Sequence, residues 1–186
     1  MNLRNKIEDY VPYNEQEKTD KKYFLKFMDT FNDVLTRSNI FGHFSVGALV
    51  VNKNKTKMLM VYHNIYHAWV WPGGHADGNS DLLAVTIKEV KEETGLDVIP
   101  VNSGIFSIQT LPVEPHIKHG KYISSHTHLD VLFLLEADDT IPLTFNKEES
   151  KGAKWILLEE LEKRETLEYM KPIDQKLIFK LKEMGK

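Results

Sequence analysis

The chain has 186 residues, 41% of them hydrophobic and 27% charged, with a net charge of −3 and no cysteine. That length suits one domain, or one domain with a small appendage, and buries a core without disulfide or metal staples. The composition excludes disulfides, thiolate metal sites and a cysteine nucleophile, and it gives no electrostatic pull towards nucleic acid polymers or acidic membranes.

The opening MNLRNKIEDY lacks the apolar stretch of a secretion signal, and runs such as Val131 to Leu135 are too short to span a bilayer, so a cytoplasmic protein without membrane attachment is expected. Residues 1–40 read as an N-terminal helical extension. Asn14-x-x-Glu17 resembles a capping box, and Phe24, Phe27, Met28, Phe31, Val34 and Leu35 recur at helical spacing. That stripe needs cover. Docking on the main domain is the favoured reading, and a homodimer surface is the alternative.

The main domain is expected over residues 41–186. Residues 43–51 and 57–62 read as strands around a turn at 52–56. A short third strand, 68–71, stops at Pro72-Gly73-Gly74. A helix then runs from about Ser80 to Thr94, with Ser80 as its N-cap, Asp81 in the first turn and Gly95 ending it. Residues 98–101 and 104–110 return to strand, 111–121 form a loop, and 122–137 read as one long strand. On that strand Leu129, Val131, Phe133, Leu135 and Ala137 take one face, and His126, His128, Asp130, Leu132 and Leu134 the other, with the polar beginning facing a cleft. Residues 153–157 are a last strand, Leu158 to Arg164 a helical turn and 172–184 a closing helix. Helices flanking a sheet imply the α/β class: an α/β/α sandwich with a mixed sheet.

The stretch from Gly73 to Leu96, GGHADGNSDLLAVTIKEVKEETGL, carries the chemistry. At about 100° per residue, Leu83, Ile87, Val90 and Thr94 form one helix face. Glu89, Glu92 and Glu93 crowd an arc of about 100° on a largely different one. Like charges so placed repel, and a divalent cation among them reverses the sign; oxygen donors of this kind suit Mg²⁺ or Mn²⁺. A solvated Glu/Lys face is what an isolated EExG would usually mean. The Gly-Gly turn that follows a strand just upstream changes that balance.

These residues resemble the Nudix box, G-x5-E-x7-R-E-U-x-E-E-x-G-U with U aliphatic, running without a gap from Gly74 to Leu96. Two positions depart: Ser80 stands where the family has Glu, and Lys88 where it has Arg. That pair braces the loop and helix in the family, and losing both partners is less damaging than stranding one charge. Asp77 is a partial substitute for the missing Glu. The wording GGHADG is similar to a bacterial Nudix subgroup with Ser or a similar residue at that position.

The resemblance implies a Nudix-type fold and a metal-dependent hydrolase that cleaves the diphosphate linkage of a nucleoside diphosphate joined to another moiety. Its residues carry over one by one: Glu89 as general base or metal ligand, Glu92 and Glu93 as ligands of Mg²⁺ (Mn²⁺ as substitute), and the Gly74 carbonyl as a further ligand. Glu148 and Glu149 are candidates for a ligand late in the fold, Glu149 the favoured one. His75 and His128 are expected to contact substrate, and Trp71, on the same strand face as Trp69, to stack a base or else to pack in the core. Asp130 either lines the cleft with His128 or hydrogen-bonds in the sheet. His126 and His128, with His116 and His119 in the preceding loop, also allow a zinc site as a minor reading. The expected partner is a small-molecule diphosphate, not a nucleic acid polymer. A non-catalytic, nucleotide-sensing module is the alternative. Isopentenyl diphosphate isomerisation is disfavoured because it uses a cysteine.

Overall fold

In the computed structural model the described residues are 2–118, 120–163 and 166–184. Helices α1 (Leu3–Asp9) and α2 (Glu15–Thr30) are followed by β1 (Gly42–Asn52), β2 (Lys57–His63), β3 (Ala68–Val70), β4 (Gly73–His75) and α3 (Leu82–Thr94). Then come β5 (Ile99–Pro100), β6 (Ser107–Val113), β7 (His116–Lys118), β8 (Lys121–Ile123), β9 (His126–Ala137), β10 (Ser150–Leu157) and α4 (Lys171–Met184). The hydrogen-bonded order of the main sheet is β10-β2-β1-β9-β5, with β3 on β2, β4 on β1 and β6 on β9; β7 and β8 form a separate hairpin. This is an α/β architecture with a mixed sheet, preceded by N-terminal helices. The chain divides into two compact units. One comprises Met1–Gly47, Gly74–Thr86 and Ser103–Phe133; the other comprises Ala48–Gly73, Ile87–Asn102 and Leu134–Lys186.

In the first unit α2 begins as the capping box predicts, with the Asn14 side chain accepting the Glu17 N–H at 3.0 Å. Glu17 also binds beyond the cap. Its fully buried carboxylate accepts the Tyr13 N–H at 2.7 Å and the hydroxyls of Tyr10 and Ser107, both at 2.6 Å. The helix docks on β6: Gln16 donates to the Ile108 carbonyl at 3.2 Å, and the Thr110 N–H donates to Asp20 at 3.1 Å. Phe24 is fully buried, edge-on to Phe44 at 5.5 Å. The apolar stripe is therefore covered within the chain at Phe24. Its later members are not helical, because α2 stops at Thr30. Asp33 and Thr36 make local turn bonds that compete with the helix, and Val34 is buried from within that turn, its carbonyl accepting the Phe44 N–H.

Two expectations about the later strands are corrected. Residues 111–113 are strand, not loop: β6 pairs with β9 as far as Val113 opposite His126. Pro112 is exposed there, where a missing N–H is harmless. The segment 122–137 is not one strand. Gly120, at φ 74°, turns the chain so that β8 folds back on β7, and β9 starts afresh at His126. The expected loop histidine His119 and the end of the turn at Arg164 lie outside the described residues; a 3-10 turn spans Leu161–Lys163.

In the second unit β1 and β2 meet at Val51 opposite Met58, around a turn in which the Asn52 side chain accepts the N–H groups of Thr56 and Lys57. Val61, Ala68 and Val70 form a buried cluster with Tyr66, Ala153 and Leu167. β10 begins at Ser150, earlier than expected, across a register shift before Ala153. In α4, where Ile173, Leu177, Ile178 and Leu181 are expected on one side, the last three are buried and Ile173 is half-buried.

Candidate functional site

The helix that carries the glutamates starts one residue later than its sequence suggests. Asp81, not Ser80, is the N-cap: its carbonyl accepts the Val85 N–H at 3.1 Å and its carboxylate the Ala84 N–H at 3.3 Å. The Asn79 side chain holds the Asp81 N–H at 2.9 Å, which keeps Asp81 out of the helix and leaves Ser80 exposed in the turn. The buried face shifts accordingly. Leu82, Val85, Thr86, Val90, Glu93 and Thr94 are buried, whereas Leu83 and Ile87 are half-buried. Gly95 ends the helix at φ 74°, and a Cβ there would lie 2.5 Å from Thr144 Oγ1, so both backbone and space require glycine.

The three box glutamates occupy three environments. Glu93 is 4% exposed, and its Oε2 accepts the Gly73 N–H at 3.0 Å. Burial pushes its carboxyl up to about 8; the Gly73 bond opposes this, while Glu149 and Glu89 add to it. Glu89 is half-buried and also raised, first by burial, with Lys88 opposing and Glu92 and Glu149 adding. Glu92 is exposed, 2.7 Å from Lys88 Nζ, which lies 3.7 Å from Glu89. Glu149 is half-buried and its charge acts on both Glu89 and Glu93, whereas Glu148 is exposed. The carboxylates do not close into a tight ligand cage among the described residues. Like charges spread apart, and Glu92 is drawn to Lys88 instead.

The remaining expected residues divide. Asp77 forms a two-pronged ion pair with Arg37, and Lys88 is engaged by Glu92 and Glu89. Trp71 is 7% exposed, as a core residue is. Trp69 packs edge-on to Tyr62 at 5.3 Å, with Lys154 Nζ over its ring at 3.9 Å. Asp130 is buried and hydrogen-bonds in the sheet, to Ser45 at 2.9 Å and Gln109 at 2.5 Å.

His75 and His128 come together in the first unit with His43, a residue that no motif or spacing singles out. One ligand atom from each lies within 4.8 Å of the others. β4 pairs with β1, which sets His75 beside His43, and the Thr127 N–H donates to the Phe41 carbonyl, which sets His128 there too. Burial lowers all three imidazoles: His75 to about 3, His128 well below its usual range, and His43 downwards. His126, whose Nδ1 lies 2.9 Å from the Ser124 carbonyl, lies tilted against His43 at 5.0 Å but is not in the trio; His116 Nδ1 lies 2.9 Å from the Glu114 carbonyl.

Known proteins place this architecture. The description "NUDIX domain" fits residues 42–181, and the chain belongs to that family. It is similar to a solved NUDIX-family hydrolase from Clostridium perfringens (TM-score 0.54, 22% identity, 76% of this chain and 97% of that one). It is also similar to an ADP-ribose pyrophosphatase from Streptococcus suis (TM-score 0.52, 20% identity, 77% and 92%) and a C. elegans Ap4A hydrolase (TM-score 0.51, 19% identity, 76% and 96%). At these identities the likeness establishes the fold. A curated relative, the m7GpppN-mRNA hydrolase NUDT17 of Xenopus laevis, is 27% identical over 96 residues, 52% of this chain but only 31% of that protein's length. Among the described residues no helix is long and apolar enough to cross a membrane.

Proposed function

We propose that the chain hydrolyses the diphosphate linkage of a small molecule, a nucleoside diphosphate joined to another moiety, with water attacking phosphorus. The observation that carries this is Glu93: a buried carboxylate, fixed by the Gly73 N–H and pressed by the charges of Glu89 and Glu149. Carboxylates concentrated in a low-dielectric setting suit a divalent cation, and hard oxygen donors suit Mg²⁺, with Mn²⁺ as substitute. Glu89, Glu92, Glu93 and Glu149 are the residues that would hold it. Bound there, the ion would neutralise phosphate charge and acidify water. The chain's own part is to position carboxylates and accept a proton. Glu89 has the better access for a base, being half-buried where Glu93 is tied to Gly73.

This reading takes residues 41–186 as the hydrolase domain, residues 1–40 as an extension, and GGHADG as the mark of a bacterial subgroup acting in the cytoplasm. Capped RNA, the substrate named for the Xenopus protein, is disfavoured by a net charge of −3 without a basic tract.

The test incubates the purified protein with Mg²⁺, a panel of diphosphates and ¹⁸O-water, and follows product phosphates by mass. Cleavage with label in a phosphate product, abolished by EDTA, is expected. Tight nucleotide binding without turnover of any panel member would favour a sensing module instead.

A further inference from the structure

Three imidazoles from three strands gather in the first unit. We propose that His43, His75 and His128 form a binding site for one late first-row divalent cation, Zn²⁺ in the first instance, through three ring nitrogens with a fourth position open. This does not rest on the proposed Mg²⁺ site, and it uses different donors.

Geometry carries the assignment. His75 Nε2 and His128 Nε2 are 3.2 Å apart. Two ligands on a tetrahedral Zn²⁺ with Zn–N bonds of about 2.0–2.1 Å are separated by about 3.3 Å, so this pair already spans one edge of the coordination tetrahedron. One ring nitrogen of His43 lies within 4.8 Å of a ring nitrogen of each of the other two, close enough for ring rotation to complete the face.

His43 supplies the second observation. It is 4% exposed, and its Nδ1 faces the Asn39 carbonyl at 3.3 Å. The Nδ1–H donates there, and that tautomer leaves a lone pair on Nε2. A backbone acceptor behind a ring nitrogen is the usual second layer of a metal-ligating histidine. Nε2 has no hydrogen-bond partner among the described residues. A buried acceptor without a donor is costly, and a metal ion satisfies it.

Chemistry selects the ion. Three neutral nitrogens and no carboxylate among the ligands suit Zn²⁺, Co²⁺ or Ni²⁺ rather than Mg²⁺. Neutral imidazole is the ligating form. One of His75 and His128 now donates its Nε2–H to the other, so binding requires that ring to present its other tautomer. Three protein ligands leave a position for water or a substrate oxygen.

The experiment uses the full chain, stripped with EDTA and titrated with Co²⁺ in excess Mg²⁺, which occupies oxygen-rich sites. One equivalent of Co²⁺ with the intense visible absorption of four-coordinate geometry is expected, displaced by Zn²⁺. His75→Gln and His128→Gln should each weaken Zn²⁺ binding by more than about 100-fold, since loss even of a second-layer partner costs about 10–100-fold. Glu92→Gln and Glu149→Gln should leave the absorption unchanged. Should the histidine variants fail to fold, X-ray absorption of the Zn²⁺-loaded wild-type protein decides: imidazole scattering from three nitrogens at about 2.0–2.1 Å is expected. Wild-type protein that takes up no Co²⁺ or Zn²⁺ in Mg²⁺, or absorption lost with the glutamates and not the histidines, overturns the proposal.

Discussion

The main-chain N–H of Gly73 donates to Glu93 Oε2 at 3.0 Å, joining positions 20 residues apart. It ties Gly73, the first residue of β4, to the last turn of α3. One oxygen of Glu93 is thereby fixed, while burial opposes the carboxylate's charge. The proposed hydrolysis asks this group to exchange a proton for a cation.

That burial predicts a pH signature in the metal-free protein. Glu93 titrates near 4.5 when unfolded and at about 8 when folded. Between those values the fold holds a proton that the unfolded chain releases. Its contribution to stability is full below about 4.5 and disappears as pH rises through about 8. Gln mimics the protonated side chain, so in EDTA Glu93→Gln should gain on the wild type from about pH 5 to about pH 8.5, by on the order of a few kcal/mol at most. Thermal melts across that range measure it; a gap that stays constant with pH would contradict the shift.

How far the sequence reveals this arrangement depends on how local its causes are. The Asn14 cap, the Gly95 stop and the burial of Leu177, Ile178 and Leu181 follow from neighbours in sequence and stand as read. The Asp81 cap was missed by one residue because Asn79, two positions back, competes for the turn. The β7–β8 hairpin is not legible because 111–121 read as loop and Tyr122 and Ile123 as continuous with the strand after them, while the turn rests on a single glycine. His43 was missed for a different reason. Its partners are 32 and 85 positions away in the numbering (75 − 43 and 128 − 43), and only strand pairing brings them together.

The cap at Asp81 separates two substitutions that sequence alone would treat the other way round. Asp81→Ala removes the acceptor for the Ala84 N–H and should cost about 0.5–2 kcal/mol. Ser80→Ala changes an exposed turn residue and should fall within about 0.5 kcal/mol of wild type. Urea denaturation of both variants is the measurement, and a larger loss at Ser80 would return the cap to that residue.

Glu17 joins α2 to β6 through a buried carboxylate that accepts from Tyr10, Tyr13 and Ser107. Glu17→Ala leaves the Tyr13 N–H and the Ser107 hydroxyl without this acceptor and should cost about 2–4 kcal/mol. Deleting residues 1–38 removes the helix altogether, exposes Phe44 and should lower solubility. A truncated protein that is as soluble and as stable as the full chain would mean that the docking contributes nothing.

Turnover variants test the proposed hydrolysis directly. Glu93→Gln keeps shape and can still accept the Gly73 N–H through its amide oxygen, so folding should survive. It cannot neutralise a cation, and turnover at saturating Mg²⁺ should fall by on the order of 100-fold or more. Glu89→Gln should lose about 10²–10⁴-fold if Glu89 is the base, with the loss greatest where pH would otherwise ionise it. Its carboxyl is raised by burial, so in the wild type the acid limb of the rate profile should lie above the ordinary range for glutamate and should vanish in the variant. Lys88→Arg keeps the charge facing Glu89 and Glu92 and should change turnover little. Circular dichroism establishes folding for each variant. A folded Glu93→Gln protein with near-normal turnover would leave this helix face as a solvated Glu/Lys surface, and the hydrolytic reading would have to be abandoned.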